Sequence, residues 1–197
     1  MKRTFQTVLL ALAVTSLSAA SNAQVFVADL SGLNESPPNA SPGTGLATVT
    51  LDALAHTLRV EITFSGLLGT TTASHIHSAT AVPGTGNAGV ATTTPTFAGF
   101  PLGVTSGTYD NTLDLTASSS YNPAFITANG GTTSGAEAAL IAGITGGKAY
   151  LNIHTSVVPS GEIRGFLVQA VPEPGIMAMA VGLGVGTVLL IRRRRIA

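Results

Sequence analysis

Apolar and polar residues alternate with period two along several stretches of this chain, the pattern of strands that are buried on one face and wet on the other. The clearest is Leu58 to Phe64: Leu58, Val60, Ile62 and Phe64 fall on one face, and Arg59, Glu61 and Thr63 on the other. Ala47, Val49 and Leu51 share a face opposite Thr48 and Thr50, and residues 52–56 read as the hairpin connection between these two strands. Val25 to Leu30 is a further strand, and others are predicted over 73–78, 107–115, 149–155 and 163–169. Pro- and Gly-rich runs at Ser36 to Gly43 and Pro83 to Gly89 punctuate the strands as loops. The helical pattern is confined to two places. Ser134 and Glu137 have capping-box spacing ahead of Ala138 to Ile144, with Gly146-Gly147 to stop the helix, and Asn122-Pro123 opens a shorter helix ending at Asn129-Gly130. The predicted fold is all-β and mainly antiparallel: an Ig-like or Greek-key β-sandwich, or flattened barrel, of about seven or more strands with one or two short helical insertions.

The two ends follow a different rule. Lys2 and Arg3 precede a short apolar run, Val8 to Val14, and Ser21-Asn22-Ala23 places small residues before Gln24, so residues 1–23 have the architecture of a secretory signal peptide. At the other end Pro172-Glu173-Pro174 breaks regular structure, residues 175–191 carry no charge, and Arg192, Arg193, Arg194 and Arg195 follow. Seventeen residues in a helix span about 26 Å, the lower limit for a bilayer crossing, and a cluster of arginines stays on the cytoplasmic side. The two signals agree in placing residues 24–170 outside the cytoplasm. The tail, 171–197, resembles the PEP-CTERM sorting signal of Gram-negative bacteria in its Pro-Glu-Pro, transmembrane helix and arginine cluster. The resemblance implies signal peptidase and exosortase as maturation partners. It also implies transient residence in the inner membrane through 175–191, then release to the cell surface or extracellular polymer. The alternative is a permanent single-pass anchor.

The formal charge of zero belongs to the precursor. Residues 24–170 contain three basic residues (Arg59, Lys148, Arg164) against eight acidic ones, a net −5. An acidic body without a basic patch argues against nucleic-acid binding. The chain has no cysteine, which excludes disulfides, thiolate metal sites and cysteine nucleophiles.

Four strings, in order, resemble the CHRD domain, a module named from chordin and found in bacterial exported proteins. They are Leu33-Asn34-Glu35-Ser36-Pro37-Pro38 with Gly43-Thr44-Gly45; Ser65-Gly66-Leu67 with Ser74-His75-Ile76-His77; Gly84 to Val90; and Ala149 to Thr155 with Pro159 to Gly165. The stretch Thr92–Pro101 departs from the pattern. The resemblance implies an extracellular β-rich module and assigns it no ligand.

The residues that carry chemistry are few. His75 and His77 flank Ile76, so in a strand both imidazoles point to one face; Tyr150, Asn152 and His154 share a face by the same rule. If those strands are neighbours, three histidines converge, a set suited to Zn²⁺ or Cu²⁺. The competing reading gives these side chains the work of satisfying backbone groups of the neighbouring loops. Glu162 and Arg164 alternate about Ile163 and are expected to form an exposed cross-strand ion pair with Glu35 or another partner; His56, in the hairpin turn, is expected to be solvated. No Gly-x-Ser-x-Gly or phosphate-loop string is present, and Gly84-x-Gly86-x-x-Gly89 has no helix after it. From the sequence, the expected function is that of an exported, non-enzymatic surface or matrix protein acting in adhesion or in exopolysaccharide biofilm, with polysaccharide or protein as ligand. The alternative is an exported metal-binding protein or metalloenzyme using the three histidines.

Overall fold

The computed structural model describes residues 23–170; the expected signal peptide, 1–23 apart from Ala23, and the expected sorting tail, 171–197, lie outside the described residues. Eight strands run in chain order: β1 (Gln24–Ser31), β2 (Thr44–Asp52), β3 (Thr57–Ser65), β4 (Thr71–His77), β5 (Gly107–Asp114), β6 (Tyr150–Thr155), β7 (Ile163–Phe166) and β8 (Val168–Gln169). Two helices, α1 (Pro123–Ala128) and α2 (Thr133–Thr145), sit between β5 and β6. The expected mainly antiparallel β architecture with short helices is present, with its strands joined in one continuous curled sheet of order β4-β6-β7-β1-β2-β3-β5, β8 pairing with β1. The curl brings the two edges together. Thr71, at the start of β4, accepts from Gly103 N and donates to Val104 O, in the segment that leads into β5.

The alternation read from the sequence sets which face is inside. Ala28, Ala47, Ile62 and Tyr109 line up across β1, β2, β3 and β5, and all four are buried. Phe26, Val49, Val60, Leu58 and Phe64 belong to the same core; burying each large side chain contributes about 1.5–3 kcal/mol. A one-residue slip would turn every one of them to water, so the register is strongly determined. On the outer face Arg59 binds Asp110 through Nε and Nη2 at 2.9 and 2.7 Å.

The short helix opens where expected, with the Asn122 side chain accepting from Ala124 N. The longer one does not. Its N-cap is Thr132, which accepts from Gly135 N at 3.1 Å, rather than Ser134. The capping box fails because its acid is engaged elsewhere: Glu137 Oε1 lies 2.8 Å from His56 Nδ1. His56 is exposed, as expected for a turn residue, and its ring also ties the β2–β3 turn to α2. Ala136, Leu140, Gly143 and Ile144 form the buried stripe of α2 at helical spacing.

For the chemistry of the chain the decisive element is β6. It lies between β4 and β7 and is buried on both faces. Leu151, Ile153 and Thr155 face the core; Tyr150, Asn152 and His154 face a second, polar layer roofed by loops.

Candidate metal centre

Antiparallel pairing of β4 with β6 sets His77 opposite Tyr150, His75 opposite Asn152, and Ala73 opposite His154. The pleat projects His75 and His77 to one side, and His154 meets them diagonally. Ring centroids are 5.3 Å apart for His75 and His154, 5.8 Å for His75 and His77, and 5.9 Å for His77 and His154. One ring nitrogen from each lies within 4.8 Å of the other two. Ligands about 2.1 Å from a shared metal stand about 3.4 Å apart, so closing on an ion needs movements of the order of an ångström.

Each imidazole is held by a different loop. His75 Nε2 donates to Pro95 O at 2.6 Å, His77 Nδ1 to Ala88 O at 2.9 Å, and His154 Nδ1 to Pro159 O at 2.9 Å. A carbonyl oxygen can only accept, so each of these nitrogens carries the proton and the other carries a bare lone pair. Those other nitrogens, His75 Nδ1, His77 Nε2 and His154 Nε2, are buried and have no hydrogen-bond partner. Burial also keeps the rings neutral: it pushes all three below the usual histidine range, His77 to about 4. His75 and His77 are closed off, while His154 is partly exposed and marks the side open to solvent.

Around the cluster lies a second set of polar groups. Tyr150 stacks on His77 at 4.8 Å with the rings 6° from parallel, and its hydroxyl donates to Ala88 O. The Arg164 guanidinium sits 4.6 Å from the Tyr150 centroid. It donates to Asn34 O and to Asn87 Oδ1, and it lies 3.8 Å from Glu35. The expected Glu35–Arg164 pair is therefore present but buried rather than exposed, at 8 % and 3 % accessibility. Burial pushes the Glu35 carboxyl up to about 7 against the opposing pull of Arg164. Gly161, at φ +130°, packs against Asn152 and Glu35, where a Cβ would come within 2.9 Å of both.

Glu162 does not join that pair. It is fully buried and accepts from Ser41 Oγ (2.6 Å), Thr155 Oγ1 (2.6 Å), Leu68 N (2.5 Å) and Gly69 N (3.2 Å). Burial raises its pKa, but these hydrogen bonds outweigh it and hold the carboxyl below the usual range.

The three histidines singled out by the sequence are thus brought together. Sequence reasoning missed the three carbonyls that fix their tautomers, for which Pro95, Ala88 and Pro159 carry no side-chain signal, and the buried state of Arg164 and Glu162. Among the described residues no helix is long and apolar enough to cross a membrane. The CHRD domain family model matches residues 26–167, from β1 to the residue before β8. No curated protein and no solved structure matches the chain significantly.

Proposed function

Since this chain belongs to the CHRD domain family, we propose that it is an exported protein whose β domain holds one transition-metal ion, copper or zinc, on His75, His77 and His154. One observation carries the reading: three buried imidazole lone pairs, all without partners, face one another. Histidines that served only to pin loops would turn their second nitrogen to water or to a polar neighbour, because a buried orphan costs about 1–3 kcal/mol. These three satisfy the loops with one nitrogen and keep the other for each other. Donation of the non-ligating N–H to a carbonyl is the usual support of a histidine ligand. Three imidazoles suit copper or zinc and leave a position for water or a small ligand on the His154 side. The test is metal content of the exported protein after loading with Zn²⁺ or Cu²⁺ and desalting. One ion per chain is expected in the wild type and none in His77→Ala or His154→Ala. Equal content in all three overturns the proposal.

The same reading includes sorting. Residues 1–23 are removed by signal peptidase. Residues 175–191 hold the precursor in the inner membrane of a Gram-negative cell with Arg192 to Arg195 inside, and an exosortase-type enzyme cuts near Pro172-Glu173-Pro174. The support is the three-part tail and one feature of the domain: Ala170 N donates to Val25 O at 2.8 Å, so the chain leaves the domain beside the strand by which it entered. In extracellular polymer, the outer face of β2, β3 and β5, with Thr48, Thr50, Thr63, Thr108 and Thr112, offers hydroxyls to polysaccharide. Intact-mass measurement of the mature protein is expected to start at Gln24 and to lack Arg192 to Arg195. A mature chain that keeps those arginines overturns sorting by cleavage.

A further inference from the structure

We propose that the three-histidine centre is selective for monovalent copper over Zn²⁺ and Cu²⁺, and that Arg164, acting through the Tyr150–His77 stack, is the positioning residue that sets this preference. The inference rests on the metal reading above and adds the identity and charge of the ion.

The argument is a charge inventory. The ligands contribute no negative charge: all three are neutral imidazoles, the group contains no carboxylate, and the chain has no thiol. Each ring's N–H is committed to a carbonyl, which opposes imidazolate formation. A fixed positive charge stands close by. The Arg164 guanidinium is 4.6 Å from the Tyr150 ring, which is itself stacked on His77 at 4.8 Å. A divalent ion meets the repulsion of that charge with twice the charge of a monovalent one.

Two buried carboxylates could cancel this field, and neither does so fully. Glu35 pairs with Arg164 at 3.8 Å, but its burial raises the carboxyl to about 7 and so disfavours its charged form. Glu162 is turned to Thr155, on the opposite face of β6 from His154, and is consumed by its four donors. Coordination number leaves the choice to charge. Cu⁺ is satisfied by three nitrogen donors, and Zn²⁺ or Cu²⁺ would complete a fourth position with water on the His154 side. For unit charges separated by something on the order of 9 Å, at an effective dielectric of about 20, one extra charge changes the binding ratio roughly twentyfold.

The exported protein is titrated anaerobically with Cu⁺ against a chromophoric chelator, and separately with Zn²⁺ and Cu²⁺ against their own competitors. Cu⁺ is expected to bind tightest and to resist displacement by a tenfold excess of Zn²⁺. Arg164→Gln is expected to narrow the Cu⁺-to-Cu²⁺ affinity ratio roughly twentyfold and Arg164→Lys to preserve most of it. Glu35→Gln leaves Arg164 in place, provides the converse if Arg164→Gln does not fold, and is expected to widen the ratio. Preference for Zn²⁺ or Cu²⁺ in the wild type, with loss on His77→Ala, overturns the selectivity while the metal reading stands. Selectivity unmoved in every foldable variant overturns the role of Arg164. Binding of no metal overturns the metal reading itself.

Discussion

Replacing Glu162 by alanine is expected to lower the stability of the domain by about 4 kcal/mol and its melting temperature by roughly 10 °C. The carboxylate is the shared acceptor of four donors from three separate segments: Ser41 from the loop before β2, Leu68 and Gly69 from the turn before β4, and Thr155 at the end of β6. Alanine would leave all four without their acceptor, Gly69 and Thr155 in a place that water does not reach and Ser41 and Leu68 at its half-buried edge. The two hydroxyls can rotate to other partners, but the two backbone N–H groups cannot, and each buried orphan costs about 1–3 kcal/mol. Glu162→Gln should fall between, since an amide keeps one acceptor oxygen and presents an N–H₂ to groups that also donate. Ser41→Ala should cost about 1 kcal/mol. Thermal unfolding of the four proteins decides it: Glu162→Ala melting within 2 °C of wild type would sink the account. Function should follow stability here, because Glu162 adjoins the turn whose Pro159 carbonyl orients His154. The same variant should therefore hold metal more weakly.

The stability of the metal-free protein is expected to fall as pH drops from about 6.5 towards 4. Burial, the largest cause, lowers the folded-state pKa of His75, His77 and His154, so in this window the unfolded chain binds more protons than the folded one. Their contribution is complete above the unfolded value of 6.5 and is lost in acid; for His77, which reaches about 4, it amounts to about 3 kcal/mol. Glu35 acts with the opposite sign. Its folded pKa is raised from 4.5 to about 7, so the stability it contributes is complete below 4.5 and disappears as pH rises through 7. Three histidines against one carboxyl give a net loss on acidification. Glu35→Gln removes the offset, and its apoprotein should lose about 2–3 kcal/mol more than wild type between pH 7.5 and 5. Denaturant midpoints of the chelator-treated proteins across that range provide the check. Parallel curves for the two proteins would show that Glu35 is not a buried, proton-binding group. Bound metal should be released over the same interval, since protons and the ion compete for the same lone pairs.

Much of the β scaffold was legible because half-buried strands write their geometry directly into the sequence. Leu58, Val60, Ile62 and Phe64 are inward in the structure, as their spacing requires, and the Asn122 cap is where a short polar side chain before proline belongs. Misreadings occurred where a side chain had two physically reasonable partners. Glu137 has the spacing of a capping box, yet His56 takes it; Glu162 looks like one half of a surface pair, yet four donors draw it inside. Arg164 and Glu35 do pair, but the depth at which they do so changes the pair from a surface feature into an electrostatic neighbour of the histidines.

By itself the sequence determined the phase of each strand, and with it that His75 and His77 share a face and that Tyr150, Asn152 and His154 share another, because a pleated backbone alternates its side chains whatever lies around it. It also determined the chemistry available: imidazoles without thiols, on an acidic body. Only the tertiary structure decided that β4 and β6 are neighbours, which depends on hydrogen bonds between segments far apart in the chain. It decided as well which nitrogen of each histidine is left bare, which depends on three loop carbonyls arriving from three directions. Periodicity is local and can be read in order; the convergence of lone pairs is a property of the folded chain.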